Sequence, residues 1–148
     1  MSSLKETVLA PDTRPGVVND AVALVDSEVR SKGGVSGMAI KAGFAAVNRL
    51  KPTLVRDAVD NLLDRFVERL EPFYTAWNEK GRSGSFESHL SSQKNAVANA
   101  LLAVTDERAQ QIQTGAIKKT YEKLRPMGEK NVEAAVAGLG RTLDKYLR

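Results

Sequence analysis

The sequence contains no cysteine and a single histidine, His89. The absence of cysteine excludes disulfides, thiolate metal sites and cysteine nucleophiles. One histidine is too few for a multi-histidine metal site or for the paired Glu-x-x-His motifs of di-metal helical bundles. We therefore expect neither a metal ion nor a cofactor in this protein.

Long apolar runs are also missing. The longest candidate, residues 38–47, is interrupted by Lys41 and is too short to span a bilayer. The first eleven residues include Glu6 and lack the apolar centre of a signal peptide. These features predict a cytoplasmic protein without a membrane span.

What the sequence does contain is the composition of a globular protein. Hydrophobic residues make up 42% and charged residues 27% of the 148 residues, which is typical of folded domains. A chain of this length is expected to form one domain, covering residues 1–148.

The apolar residues recur almost everywhere with helical spacing, and strand-like alternation is absent. The sequence therefore predicts an all-α fold, a compact bundle of about seven or eight short-to-medium helices. The clearest helix covers residues 53–70, and Pro72 is expected to break or kink the chain after it. Ser36 is a candidate N-cap for a helix over 37–50, and Thr105 for a separate helix over 106–112. Gly138 and Gly140 predict close packing of the last helix.

The net charge of +4 hides a strong segregation of sign. Residues 29–56 hold six basic residues and no acidic one, and residues 108–148 hold nine basic and four acidic. Clustered cations bind phosphates without reading sequence, so these segments are candidates for anion or nucleic-acid binding. The alternative is that they are solvated or paired within the chain. The candidate residues are Arg30, Lys32, Lys41, Arg49, Lys51, Lys118 and Lys119.

The glycine-rich turn over residues 32–37 leads into a predicted helix, where free backbone N–H groups attract anions. The turn lacks the ending of a phosphate-binding loop, and a helix cap explains its glycines equally well. The turn also resembles that of a helix-turn-helix. However, the helix after it offers almost no polar side chains to read bases, and we expect it in the core.

An acidic row follows one side of the 53–70 helix, opposite its apolar side. Such a row is a candidate docking face for a basic protein or a weak site for a hard cation. The alternative is a solvated face or one that is paired within the chain. The row consists of Asp57, Asp60, Asp64 and Glu68.

Half of the eight aromatic residues fall within residues 66–77. Tyr74 and Trp77, together with the nearby His89, are candidates for a ligand pocket with polar groups in its wall. The alternative is an aromatic centre of the core. Serines flank His89, but nothing around them resembles a nucleophile elbow, so we predict no catalytic residue.

Several segments resemble an actinobacterial family of small all-helical proteins of unassigned function. They are LKETVLAP (4–11), VVNDAVALVDSEV (17–29), GVSGMAIKAG (34–43), LEPFY (70–74), LLAVTDERA (101–109) and KKTYEKLR (118–125). They spread over most of the chain, so the resemblance is to a whole domain. It implies no catalytic or binding residue.

The sequence favours a non-catalytic cytoplasmic domain that acts through contacts with an unidentified protein partner. The first alternative is sequence-independent binding of nucleic acid or another polyanion by a basic face. The second alternative is a small-ligand-binding domain. A homodimer is a further alternative, because the apolar faces predicted here exceed what one small bundle covers.

Overall fold

The computed structural model describes residues 3–147, and its regular structure is helical. Eight α-helices and one 3₁₀ turn follow one another without a strand in that range, which confirms the predicted all-α fold. They are α1 (Leu4–Val8), α2 (Arg14–Ser31), α3 (Gly34–Leu50), α4 (Leu54–Glu79), α5 (Phe86–Ser91), α6 (Lys94–Ala109), α7 (Gly115–Leu124), the 3₁₀ turn (Arg125–Met127) and α8 (Gly128–Asp144).

The main core joins α1, α2, α4, α5, α6 and α8. Phe86 of α5 lies at its centre and is fully buried together with Leu4 and Leu90. Each such side chain contributes roughly 1.5–3 kcal/mol on leaving water, so apolar burial is the main stabilising term. Neither α3 nor α7 contributes a residue to this cluster within the described range.

Of the two alternatives expected at Pro72, a break is wrong, because α4 continues through this residue to Glu79. Proline removes one helical hydrogen bond and costs about 3 kcal/mol in a helix interior. Leu70, Tyr74 and Trp77 continue the buried face on both sides of it. Their burial offsets the cost, since each large side chain contributes roughly 1.5–3 kcal/mol.

Two predicted helix starts are also wrong. The third helix begins at Gly34 with Gly33 as its N-cap, so Ser36 lies inside the helix. A positive φ of 70° at Gly34 turns the chain, and a Cβ on Gly37 would lie only 2.6 Å from the carbonyl carbon of Lys32. Thr105 lies inside the continuous α6, where its hydroxyl donates to the Leu102 carbonyl (3.0 Å). The helix continues past it because Val104 and Ala109 are buried on the same element.

Close packing at the two late glycines is confirmed. A Cβ on Gly138 would lie 2.7 Å from Leu24 Cδ1, and one on Gly140 would overlap the backbone of Glu87. The absence of these side chains lets α8 approach α2 and α5. Asp144 then accepts hydrogen bonds from the backbone N–H groups of Phe86 (3.0 Å) and Glu87 (3.1 Å), which caps α5 from a different helix.

Candidate functional site

In the described part of the chain, the large apolar side chains that are exposed to solvent lie on α3. Val35 is 86%, Met38 72% and Leu50 56% exposed, and these are the large hydrophobic residues that stand open to solvent in the described part of the chain. Ala42, Ala45 and Ala46 are exposed on the same helix. We call the face formed by these six residues the outer face of α3. The expectation that this helix lies in the core is therefore wrong for this face.

The opposite side of α3 packs on α7 and on the body of the protein. Ile40 and Val47 are buried there. A Cβ on Gly43 would lie 3.0 Å from Leu124 Cδ1 and 3.2 Å from Thr120 Cγ2, so glycine allows the two helices to touch. The structure thus brings together two helices that lie about 80 residues apart in sequence, one from each basic segment.

Five exposed cations of this helix pair make no ion pair within residues 3–147. Lys119 and Lys123 lie one turn apart on α7 and therefore share a face. The sequences of α3 and α7 contain one acidic residue, Glu122. The five are Lys41, Arg49, Lys118, Lys119 and Lys123.

The other predicted anion-binding residues are paired within the chain. Arg30 contacts Asp26 (3.1 Å), Lys32 contacts Glu28 (3.3 Å) and Lys51 contacts Asp57 (3.5 Å). The first two pairs lie one turn apart on α2 or at its end. These three cations are therefore less available to an outside anion than the five on the α3–α7 pair.

A groove of about 540 Å³ runs beneath α3, between α4 and α7, and reaches the end of α6. Leu54, Ala58, Leu62 and Phe66 of α4 line one side at spacings of one turn. Val47 of α3, together with Ile117 and Leu124 of α7, lines the other sides. We call this space the α3–α7 groove.

A polar cluster fixes α7 at the edge of this groove. The Tyr121 hydroxyl donates to Asp106 and lies 2.9 Å from the Thr105 hydroxyl oxygen. Arg125 donates to both carboxylate oxygens of Asp106 (2.8 and 3.0 Å). The Arg125 hydrogen bonds hold the pKa of the Asp106 carboxyl below its usual value. Burial, together with the hydrogen bond to Asp106, raises the pKa of Tyr121. The cluster is internally satisfied and anchors α7 to α6.

A second groove, of about 660 Å³, lies between α2, α3 and the start of α4. Lys41 and Phe44 line it from α3, so Lys41 lies towards α2 and away from α7. Arg56 crosses the groove and donates to Asn19 Oδ1 (2.9 Å). Asp26, Lys41 and Asn48 add further polar groups to its lining.

The acidic row is paired along its whole length with cations of the same chain. Arg14 contacts Asp60 (3.2 Å) and Asp64 (2.8 Å), and Lys5 contacts Glu68 (3.8 Å). These partners come from α1 and the first residue of α2. The row therefore binds the N-terminal segment to α4, as expected for an acidic face that is paired within the chain.

Tyr74 and Trp77 lie in the main core. Arg82 covers this pair: its guanidinium carbon is 4.8 Å from the Trp77 ring centroid, and it donates to the Tyr74 hydroxyl (2.8 Å). His89 stacks on Phe86, and burial lowers its pKa from the usual value. The two grooves described above are lined by other residues.

A family described as a family of unknown function (DUF6918) matches residues 4–147. The chain belongs to this family. No curated protein and no solved structure matches the chain.

Membership of this family assigns no chemistry, so the site must be argued from the residues themselves. Within residues 3–147, no group of histidine, aspartate and glutamate side chains is arranged to hold a metal ion. No described helix is both long and apolar enough to cross a bilayer.

Sequence reasoning missed the outer face of α3 and the α3–α7 groove. The sequence indicated only one wall of the groove. The spacing of Leu54, Ala58, Leu62 and Phe66 marks an apolar side of α4 but does not show what faces it. The role of Arg82 was also missed. Its backbone φ of 55°, at a turn after Gly81, aims the side chain back over the aromatic rings, and no sequence motif marks such a turn.

Proposed function

We propose that this protein is a non-catalytic, single-domain binding module that attaches to an anionic phospholipid surface through the outer face of α3. The observation that carries the proposal is the coincidence of exposed apolar side chains and unpaired cations on one helix pair. Exposed apolar patches mark interaction surfaces for proteins or membranes. Apolar side chains flanked by Lys and Arg are typical of helices that lie in a membrane interface.

The apolar part of the contact comes from Val35 and Met38, with Leu50 at the other end of α3. These side chains already stand in water, so their transfer into the headgroup region requires no rearrangement of the core. Each buried CH₂ group contributes about 0.8 kcal/mol to such transfer. Three side chains provide reversible attachment rather than a permanent anchor.

The electrostatic part comes from Arg49, Lys119 and Lys123. Each Lys or Arg near an anionic leaflet contributes about 1 kcal/mol, and salt screens this contribution. The absence of any acidic residue from 29 to 56 removes repulsion from the α3 side. Nucleic acid would use the same cations but would leave Val35 and Met38 in water, so a phospholipid surface explains more of the structure.

The test is sedimentation with vesicles of phosphatidylcholine alone or with one third phosphatidylserine. We expect binding only to the anionic vesicles, and at least a fivefold loss of the bound fraction in the double variant Val35→Ser/Met38→Ser. A charge variant, Arg49→Gln/Lys119→Gln/Lys123→Gln, should lose binding to a similar degree. The matched control is Lys94→Gln/Lys130→Gln, which removes exposed cations from α6 and α8.

Three outcomes would contradict this proposal. They are equal binding to neutral vesicles, no binding to either vesicle, and retention of full binding by the serine variant. Binding to double-stranded DNA that is lost only in the charge variant would instead support a polyanion-binding function.

A protein partner is the second candidate, and one observation favours it specifically. Ala42, Ala45 and Ala46 form a shallow part of the outer face on which another helix can pack closely. A photo-crosslinking residue placed at Ala45 should then capture one protein, and the same residue placed at Lys94 should not. Loss of that crosslink in the Met38→Ser background would distinguish docking from chance proximity.

The compartment, the origin of the family and the oligomeric state are also proposals. The cytoplasm is the compartment that we propose for the protein, and the inner leaflet is the surface that it would meet. The actinobacterial origin of its family is proposed from the resemblance alone. We propose that it acts as a monomer, since the like charges of two α3–α7 pairs oppose a homodimer through this face.

A further inference from the structure

The α3–α7 groove has the dimensions of a small-molecule site. Its volume of about 540 Å³ lies within the range of ligand pockets, roughly 300–1,000 Å³. Helices surround it on several sides, since α3, α4, α7 and the end of α6 all contribute to its wall. It is separate from the outer face of α3, which points away from it.

The groove is long and apolar rather than round and polar. Leu54 and Phe66 mark the two ends of the α4 wall, and they lie twelve positions apart in the helix, a rise of about 18 Å. Ala58 lies between them and leaves space where a larger side chain would fill the floor. A shape of this kind fits an extended hydrocarbon chain better than a planar ring.

The charges at the two ends of the groove differ. At the Leu54 end, Lys51 is neutralised by Asp57 (3.5 Å). The other end lies near the end of α6, because Glu107 contacts Arg65 and Arg69 of α4 (3.7 and 3.1 Å). There Arg108 lines the groove, makes no ion pair within residues 3–147, and donates only to the Gln111 amide oxygen (3.2 Å).

We infer that the α3–α7 groove binds a single-chain anionic amphiphile, with its hydrocarbon chain along α4 and its head group at Arg108. The unpaired guanidinium selects the negative head group, and a guanidinium binds carboxylate or phosphate in the same bidentate way. The inference is independent of the proposed membrane contact, since it depends on the other side of α3.

The test is displacement of dansyl-labelled undecanoic acid from the purified full-length protein, below the critical micelle concentration of each competitor. Hexadecanoic acid and hexadecyl phosphate should both displace the probe, and their relative affinities distinguish a carboxylate from a phosphate head group. Hexadecyltrimethylammonium should bind at least tenfold more weakly, because Arg108 repels its head group.

Two variants separate the chain site from the head-group site. Ala58→Phe fills the floor of the groove and should weaken the binding of every competitor at least tenfold. Arg108→Gln should weaken the two anionic competitors at least fivefold and strengthen the cationic one, because it removes the charge that repels the cationic head group. The matched control, Ala96→Phe, adds the same side chain at an exposed position of α6 and should bind like the wild type.

A measurement on the wild type covers the case in which Ala58→Phe fails to fold. A fatty acid with a spin label on its chain should broaden the NMR signals of Leu54, Leu62 and Ile117 and leave those of Leu4 and Leu90 sharp. Broadening of the core signals instead, equal binding by a folded Ala58→Phe variant, or no binding of any probe would overturn the inference. Loss of vesicle binding with retention of probe binding would contradict only the proposed function.

Discussion

Gly43 of α3 lies so close to Leu124 of α7 that a Cβ on the glycine would be 3.0 Å from Leu124 Cδ1. This contact determines how near the two helices approach, and with it the width of the groove beneath them. Because neither helix enters the main core, a change here should affect the helix pair before it affects the rest of the fold.

We predict that Gly43→Leu lowers the free energy of unfolding by about 1–3 kcal/mol, the usual cost of overpacking. Amide hydrogen exchange should accelerate in α3 and α7 and stay unchanged in α5 and α8. The control is Gly115→Leu, since a Cβ at this position meets no atom within 4 Å. Uniform acceleration across all helices would show that α3 and α7 are not a separate layer.

The second prediction concerns Gly140, whose missing side chain lets α8 approach the backbone of Glu87. Gly140→Ala should destabilise the protein by about 1–3 kcal/mol in urea unfolding, because the overlap outweighs the roughly 1 kcal/mol that alanine gains in a helix. Gly115→Ala at the start of α7 has open space and is the control. A more stable Gly140→Ala variant would contradict the close approach.

The third prediction is a loss of stability in alkali that depends on Tyr146. Its hydroxyl donates to Asp20, and this hydrogen bond, together with burial, raises the pKa of Tyr146 from 10.0 to about 12. Because the pKa of Tyr146 is higher in the folded than in the unfolded state, the protonated phenol stabilises the folded state. This contribution is fully present below pH 10 and is lost as the pH rises towards 12.

Urea unfolding at intervals from pH 8 to pH 11.5 tests this assignment. The wild type should lose stability over the alkaline part of the range, and Tyr146→Phe should be less stable at pH 8 with a shallower decline. Asp20→Asn removes the negative charge of the acceptor and should act in the same direction. A Tyr146→Phe variant with the slope of the wild type would exclude this phenol as the cause.

The fourth prediction concerns Trp77, which is 5% exposed beneath the guanidinium of Arg82. Its fluorescence should have a short-wavelength maximum and resist quenching by iodide. Arg82→Ala should increase the quenching, because it uncovers the ring. A metabolite that both shifts this emission and raises the melting temperature would support a ligand site at Tyr74, Trp77 and His89 instead.

The sequence was a good guide wherever a local pattern decides the structure. Helical spacing predicted the all-α fold, because that spacing lies within one element. Gly138 and Gly140 predicted close packing, because a glycine inside a helix costs about 1 kcal/mol relative to alanine. The helix does not break at Pro72, because the burial of Tyr74 and Trp77 against other helices outweighs a local preference.

The candidate site was harder to predict because it depends on contacts between distant residues. Arg14 and Asp60 are 46 positions apart, and no pattern in the sequence indicates that they pair. The apolar composition of α3 predicted burial, but composition does not show how many sides of a helix the rest of the fold covers. Here the fold covers one side, and the other side became the proposed interface.

A single helix, α3, separates the outer face from the α3–α7 groove. A partner that binds the outer face and a molecule that lies in the groove both contact this helix. If one of them favours a particular position of α3, it changes the affinity for the other, and thermodynamic linkage makes the effect equal in both directions. A fold with only one helix between a surface and a cavity is therefore suited to cooperative binding, without any change in its main core.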